Sequence, residues 1–180
     1  MAPFSHPDSA ASNNEDLTHL PGAGRISKAD EIFDALGDLD ELNAALGALK
    51  IRLPDPILAG RTESIQLDVQ RIAAEIAAGA SGLAPDALDR LASWQADLEA
   101  GLPPLHGFVL PGATESSARA HLARTVCRRA ERSLIRAAQV HPGRIPAAAR
   151  TYANRLSGWL FALARKLETA PAGSVPPMNE

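Results

Sequence analysis

The sequence is poor in the residues that make covalent cross-links and soft-metal sites. Among 180 residues there is one cysteine, Cys127, which excludes an internal disulfide and a cysteine-rich metal centre. Aromatic side chains are only 4% of the chain, while 46% is apolar and alanine and leucine dominate. A core can form, and it favours helices packed closely through small side chains. No apolar run approaches the length needed to cross a bilayer. The first residues, MAPFSHPDSAASNNEDL, carry neither a basic segment nor an apolar one of the kind that directs secretion. A net charge of −3 gives no reason to expect a generic nucleic-acid or membrane-surface binder. The expectation is therefore one cytoplasmic domain of ordinary size.

Alternation of apolar and polar residues, the mark of a strand, is absent, and there is no internal repeat. Five stretches instead carry apolar residues at steps of three and four. The first spans about 29–51, with Ile32, Leu36, Leu39, Leu42, Leu46 and Leu49 in one stripe, Ser27 as its expected N-cap and Pro54 and Pro56 beyond its end. The second, about 57–79, carries Leu58, Ile65, Val69, Ile72 and Ile76 and stops at GASG. A third covers about 85–100, with Leu88, Leu91, Trp94 and Leu98. The fourth starts near Thr114, with Ser117 completing an imperfect capping box, and reaches about Val140. The fifth follows Pro146 and ends near Glu168, with Leu156, Trp159, Leu160, Leu163 and Leu167 facing the core. The fold class is all-α, an antiparallel five-helix bundle over residues 25–170. Residues 1–24 read as a loop or arm, and 171–180 as a frayed tail.

Charge is concentrated on the fourth helix. His121, Arg124, Arg128 and Glu131 share one face. Two arginines a turn apart form a forked donor array suited to phosphate or carboxylate. Periodicity by itself nevertheless favours a solvated face, with salt bridges worth ~0.3–0.5 kcal/mol each. Cys127 reads as a small buried residue of the bundle. Asp40 and Asn43 flank the first apolar stripe, where ordinary boundary polarity competes with pairing to an arginine of a neighbouring helix or subunit. Asn154, Gly158, Phe161 and Arg165 share a face of the last helix. An asparagine amide suits ribose or adenine edges, and Gly158 inside a helix suggests a close neighbour. Lys28 stands near a helix N-terminus, but the glycines of THLPGAGRISK do not make a Walker loop.

Taken together, GRISK (24–28), DELNAALG (40–47), FVLPG (108–112), ARTVCRRAER (123–132) and NRLS (154–157) resemble, in order and spacing, the PduO-type ATP:corrinoid adenosyltransferases. The segment IQLDVQRIAAEIA (65–77) resembles that family's second helix, and the likeness covers roughly 18–168. The resemblance implies a five-helix bundle that assembles as a homotrimer with active sites between subunits. It implies transfer of the 5′-deoxyadenosyl group from ATP, taken with Mg, to the cobalt of a reduced corrinoid such as cobalamin. Triphosphate is released, and an adenosylcobalamin-dependent enzyme is the expected acceptor.

Carried over by motif, Lys28, Arg128, Glu131 and Asn154 match ATP-binding positions, with Arg129 and Arg132 in the same block. Asp40 and Arg124 match an acidic–basic pair across the subunit interface. Phe108 matches the aromatic that crowds the lower face of the corrinoid, and with Arg128 it is the residue expected to carry catalysis. Two departures stand out. Ser12, Asn13, Asn14, Glu15 and Asp16 occupy the place of a Thr-Gly-Asp-x-Gly phosphate loop, and Gly158 replaces the carboxylate of R-L-S-D. They leave two further readings open. One is a non-catalytic relative that binds corrinoid or another ligand at the subunit cleft. The other is a helical assembly module whose arginines only join subunits.

Overall fold

A computed structural model describes residues 14–21, 24–105 and 107–168. Five helices follow a short N-terminal segment: α1 (Glu31–Lys50), α2 (Pro56–Ala78), α3 (Ala87–Glu99), α4 (Glu115–Val140) and α5 (Ala147–Glu168). The boundaries follow local chemistry. Asp55 accepts the Ile57 N–H and Pro56 opens α2, where its missing N–H costs nothing. Gly79 closes α2 at φ +65°, in the left-handed region. Thr114 and Ser117 form the expected capping box of α4, each side chain accepting the other's backbone N–H. At α1 the expected cap moves. Asp30, not Ser27, is the N-cap, because its carboxylate both accepts the Ile32 N–H at 2.9 Å and meets His141 Nε2 at 2.7 Å.

The N-terminal region also differs from the expected loop. Asn14–Asp16 form a 3-10 turn, and β1 (Leu17–Leu20) pairs antiparallel with β2 (Gly24–Ser27) in a two-stranded hairpin. Strands of four residues are too short to show alternation, and tertiary contacts hold them. Leu20 is buried, and the Arg144 guanidinium donates to Pro21 O while also reaching the last-turn carbonyls of Ile76 and Ala77. One arginine thus caps α2 and pins the hairpin. The arm before residue 14 and the tail expected from 171 lie outside the described residues.

Helix pairing follows the connections. The short links 51–55 and 141–146 fold α1 against α2 and α4 against α5. Further packing of α1 on α4 and α3 on α5 completes the bundle. The leucine and isoleucine stripes of α1, α2 and α5 are buried almost as expected, Leu36 alone lying partly open. On α4 the core face is built mainly from Ala120, Ala123, Val126, Cys127, Ala130, Leu134 and Ala137. Small residues there let the neighbouring helices approach closely. Among the described residues no helix is long and apolar enough to cross a membrane.

Candidate active site

The charged face of α4 is neither fully solvated nor fully buried. It runs along the seam with α5 and makes three cross-helix pairs. His121 Nε2 lies 3.2 Å from Glu168 Oε1, the Arg124 guanidinium sits 5.7 Å from the centre of the Phe161 ring, and Asn154 Nδ2 donates to Glu131 Oε1 at 2.8 Å. Numbers rise on α4 as they fall on α5, as an antiparallel pair requires. The row spans ~15 Å from His121 to Glu131. Its polarity is graded. His121 is buried, Arg124 and Glu131 are half-buried, and Arg128 is exposed.

At the Glu131 end the seam opens into a groove of about 380 Å³ lined by Glu131, Ile135, Ala147, Arg150, Thr151 and Asn154. Its wall offers a carboxylate, an amide, a hydroxyl and a guanidinium above Ile135 and Ala147, which suits a ligand with an apolar face and polar edges. Arg128 and Arg132 are exposed on the same helix and make no ion pair among the described residues. Free guanidinium groups beside such a groove are available to an anion.

Arg129 is different. It turns to α1, where its Nε donates to Asp38 at 2.9 Å and its terminal nitrogen to Glu41. Its guanidinium is therefore committed to holding α1 on α4, apart from the groove. Arg124 has the opposite condition. Beyond the Phe161 ring its Nε is buried with no hydrogen-bond partner among the described residues. Asp40, expected to pair with it, is exposed on α1 and does not reach it within the chain. Cys127 is wholly buried and donates to Ala153 O at 3.2 Å. Burial, with Glu131 nearby and against the pull of Arg128, pushes its thiol up to about 12, so it is no nucleophile at neutral pH.

Two other expected site residues lie on separate elements. Lys28 is exposed in the turn before α1, and its N–H donates to Asp16 O at 2.8 Å. Phe108 is fully exposed and Leu110 is 89% exposed in the connection between α3 and α4. Two large apolar side chains held out together in a Pro-Gly loop mark a contact surface for an apolar ligand or partner.

A sequence model of the cobalamin adenosyltransferase family matches residues 12–167, nearly the whole chain. The chain belongs to the cobalamin adenosyltransferase family. It is 39% identical over 160 residues to a cobalamin adenosyltransferase of Cupriavidus metallidurans, covering 87% of this chain and 85% of that protein. It is 38% identical over 161 residues to a corrinoid adenosyltransferase of Mycobacterium tuberculosis, covering 84% and 83%. Among solved structures it is similar to a single-residue variant of the PduO-type ATP:corrinoid adenosyltransferase of Lactobacillus reuteri, complexed with cobalamin and ATP. There the TM-score is 0.77 at 26% identity, covering 88% of this chain and 92% of that one. The all-α five-helix fold expected from the sequence is therefore the family's fold.

Within this adenosyltransferase frame the departure at Gly158 has a local explanation, while the one at the phosphate loop has none among the described residues. A Cβ at Gly158 would come within 3.0 Å of the Gln95 side chain, which is held by Glu99 at 2.8 Å. The side chain missing from α5 leaves room for one from α3. In the phosphate-loop region Ser12 and Asn13 lie outside the described residues, while Glu15 and Asp16 are exposed in the 3-10 turn beside Lys28.

Sequence reasoning missed Arg150 and Thr151, which precede the NRLS block and line the groove. It also missed Asp68, a carboxylate only 1% exposed. Asp68 did leave a signal. It lies three residues after Ile65 and four before Ile72, inside the apolar stripe of α2, where a charge without a partner would be prohibitively costly.

Proposed function

We propose that this chain transfers the 5′-deoxyadenosyl group of ATP to the cobalt of a reduced corrinoid. The electron pair of cobalt(I) forms the cobalt–carbon bond to C5′, and the C5′–oxygen bond breaks with its electrons leaving on triphosphate. The metal is the nucleophile, so the protein need only position, neutralise and exclude water. The observation that carries this reading is the α4–α5 seam, where free Arg128 stands beside the Glu131–Asn154 groove in a chain of this family.

Each residue then has a task. Asn154 and Glu131 hold the nucleoside end of ATP. Arg128 and Arg132, with Lys28 brought from its own turn, neutralise the triphosphate as charge builds on it. Phe108 crowds the lower face of the corrinoid and keeps water from the cobalt. Magnesium would accompany ATP and supply further positive charge to the triphosphate. Asp40 and Arg124 are assigned to pairing across a subunit interface in a homotrimer. The exposed Asp40 carboxylate and a half-buried Arg124 that makes no ion pair among the described residues support that assignment. Product passes to an adenosylcobalamin-dependent enzyme, in a cytoplasmic setting.

Glu15 and Asp16, which add negative charge where a phosphate loop is expected, favour a second reading, a relative that binds corrinoid without transfer. One experiment separates the two. Purified protein is given ATP and chemically reduced cobalamin, and the visible spectrum is followed for the alkylcobalt product. Turnover is expected. Corrinoid binding without turnover would establish the second reading, and absence of both turnover and calorimetric ATP binding would end the first. Light scattering should return a trimer, and a strict monomer would overturn the shared site.

A further inference from the structure

We propose that Asp68 is a positioning residue for the nucleotide groove, acting through Tyr152 to fix the rotation of α5. This rests on the assignment of Asn154 to ATP made above. The Asp68 carboxylate is buried on α2 and accepts from Tyr152 Oη of α5 at 2.9 Å, from Arg90 of α3 at 2.6 Å and from Arg71 of its own helix at 3.0 Å. One carboxylate thereby joins three helices. Arg90 is itself oriented by Asp86 at 2.7 Å, and the Trp94 ring lies 5.5 Å from the guanidinium carbons of both Arg90 and Arg61.

Such a hub is not explained by stability alone. Buried ion pairs are often no better than apolar residues of similar size, because desolvation offsets their attraction. What they add is direction. Before Leu156 the buried residues of α5 are Ala149, Tyr152 and Ala153, while the larger Leu156, Trp159, Leu160, Leu163 and Leu167 follow, so at the groove end small side chains by themselves define the helix rotation poorly. A hydrogen bond from Tyr152 to a fixed carboxylate defines it well. Tyr152 and Asn154 are two residues apart, roughly 200° around the helix. Locking Tyr152 against α2 and α3 therefore sets where Asn154 and Thr151 stand on the open side. Tyr152 is 1% exposed, so it cannot itself meet the ligand.

The test is a double-mutant cycle read by calorimetric ATP affinity, with corrinoid affinity as a second readout. Tyr152→Phe removes only the hydroxyl. It should weaken ATP binding by about three- to tenfold, a part of what a hydrogen bond to a charged group is worth. Corrinoid affinity should stay unchanged. In an Asn154→Ala background the same change should cost nothing further, because the group it positions is gone. Asp68→Asn, carried through the same cycle, replaces Tyr152→Phe if that variant does not fold. An equal loss in both backgrounds, or no loss in either, overturns the positioning role. An unchanged ATP affinity in Asn154→Ala alone overturns the site assignment, and the positioning role with it.

Discussion

On one side of α5, Tyr152 buries its hydroxyl against Asp68, whose carboxylate also accepts from Arg90 and Arg71 of the same chain. On the other, Asn154 reaches Glu131 at the edge of open solvent, beside an exposed Arg128. Both sides are charged, yet they differ in what their charges do. The buried side has matched its charges, so removing one leaves another stranded. The open side keeps groups in reserve, so removing one changes what can bind and little of what holds the fold. The same helix thus carries a structural hub and an open polar surface back to back.

The sharpest way to break that comparison is at the buried end. Asp68→Ala should lower the unfolding free energy by ~3–5 kcal/mol, the cost of stranding a buried charge partner. Denaturant unfolding would measure it, and a loss under ~1 kcal/mol would mean the hub is not matched as described. Arg128→Ala tests the open end. It should weaken ATP binding by ~1.5–3 kcal/mol if the guanidinium meets phosphate, while stability shifts by no more than ~0.5 kcal/mol. An unchanged ATP affinity would return Arg128 to a merely solvated role.

A smaller effect is expected at the start of α4, the helix that carries the arginines. Thr114→Ala removes half of the capping box and a 3.3 Å bond to Leu167 O, and should cost ~1 kcal/mol in stability. The smallest concerns pH. Burial raises Asp30, but the Ile32 N–H and the nearby His141 more than offset it and hold its carboxyl below the ordinary value. A depressed carboxyl stabilises the fold at pH above its unfolded value and loses that contribution as pH falls through the folded one. Wild type should therefore lose this increment only below about pH 4, and Asp30→Asn should show a flatter profile there in urea midpoints. Cys127 gives a qualitative check. Pushed up to about 12, it should resist thiol reagents at pH 7 until the protein unfolds.

Much of the bundle was legible because helical periodicity is a local property. Leu39, Leu42, Leu46 and Leu49 announce their face whatever they pack against, and Thr114 with Ser117 announces a helix start. The hairpin was not legible. Its strands are too short to show a pattern, and what holds them includes Leu20 in the core and Arg144 from more than a hundred residues away. Ser27 looked as good a cap as Asp30, and His141 at the far end of α4 decided between them. At the site, motif order marked the ARTVCRRAER block, but four arginines within it looked alike. Tertiary contacts separate them: Arg129 bound to α1, Arg124 set against the Phe161 ring, Arg128 and Arg132 without an ion pair among the described residues.

By itself the sequence determined five helices, the faces they bury and the family to which their motifs belong, because each depends on spacing along the chain. Only the tertiary structure decided which charges are spent and which are held in reserve. That choice depends on what lies across the seam, and a guanidinium's partner is fixed by packing rather than by its neighbours in sequence.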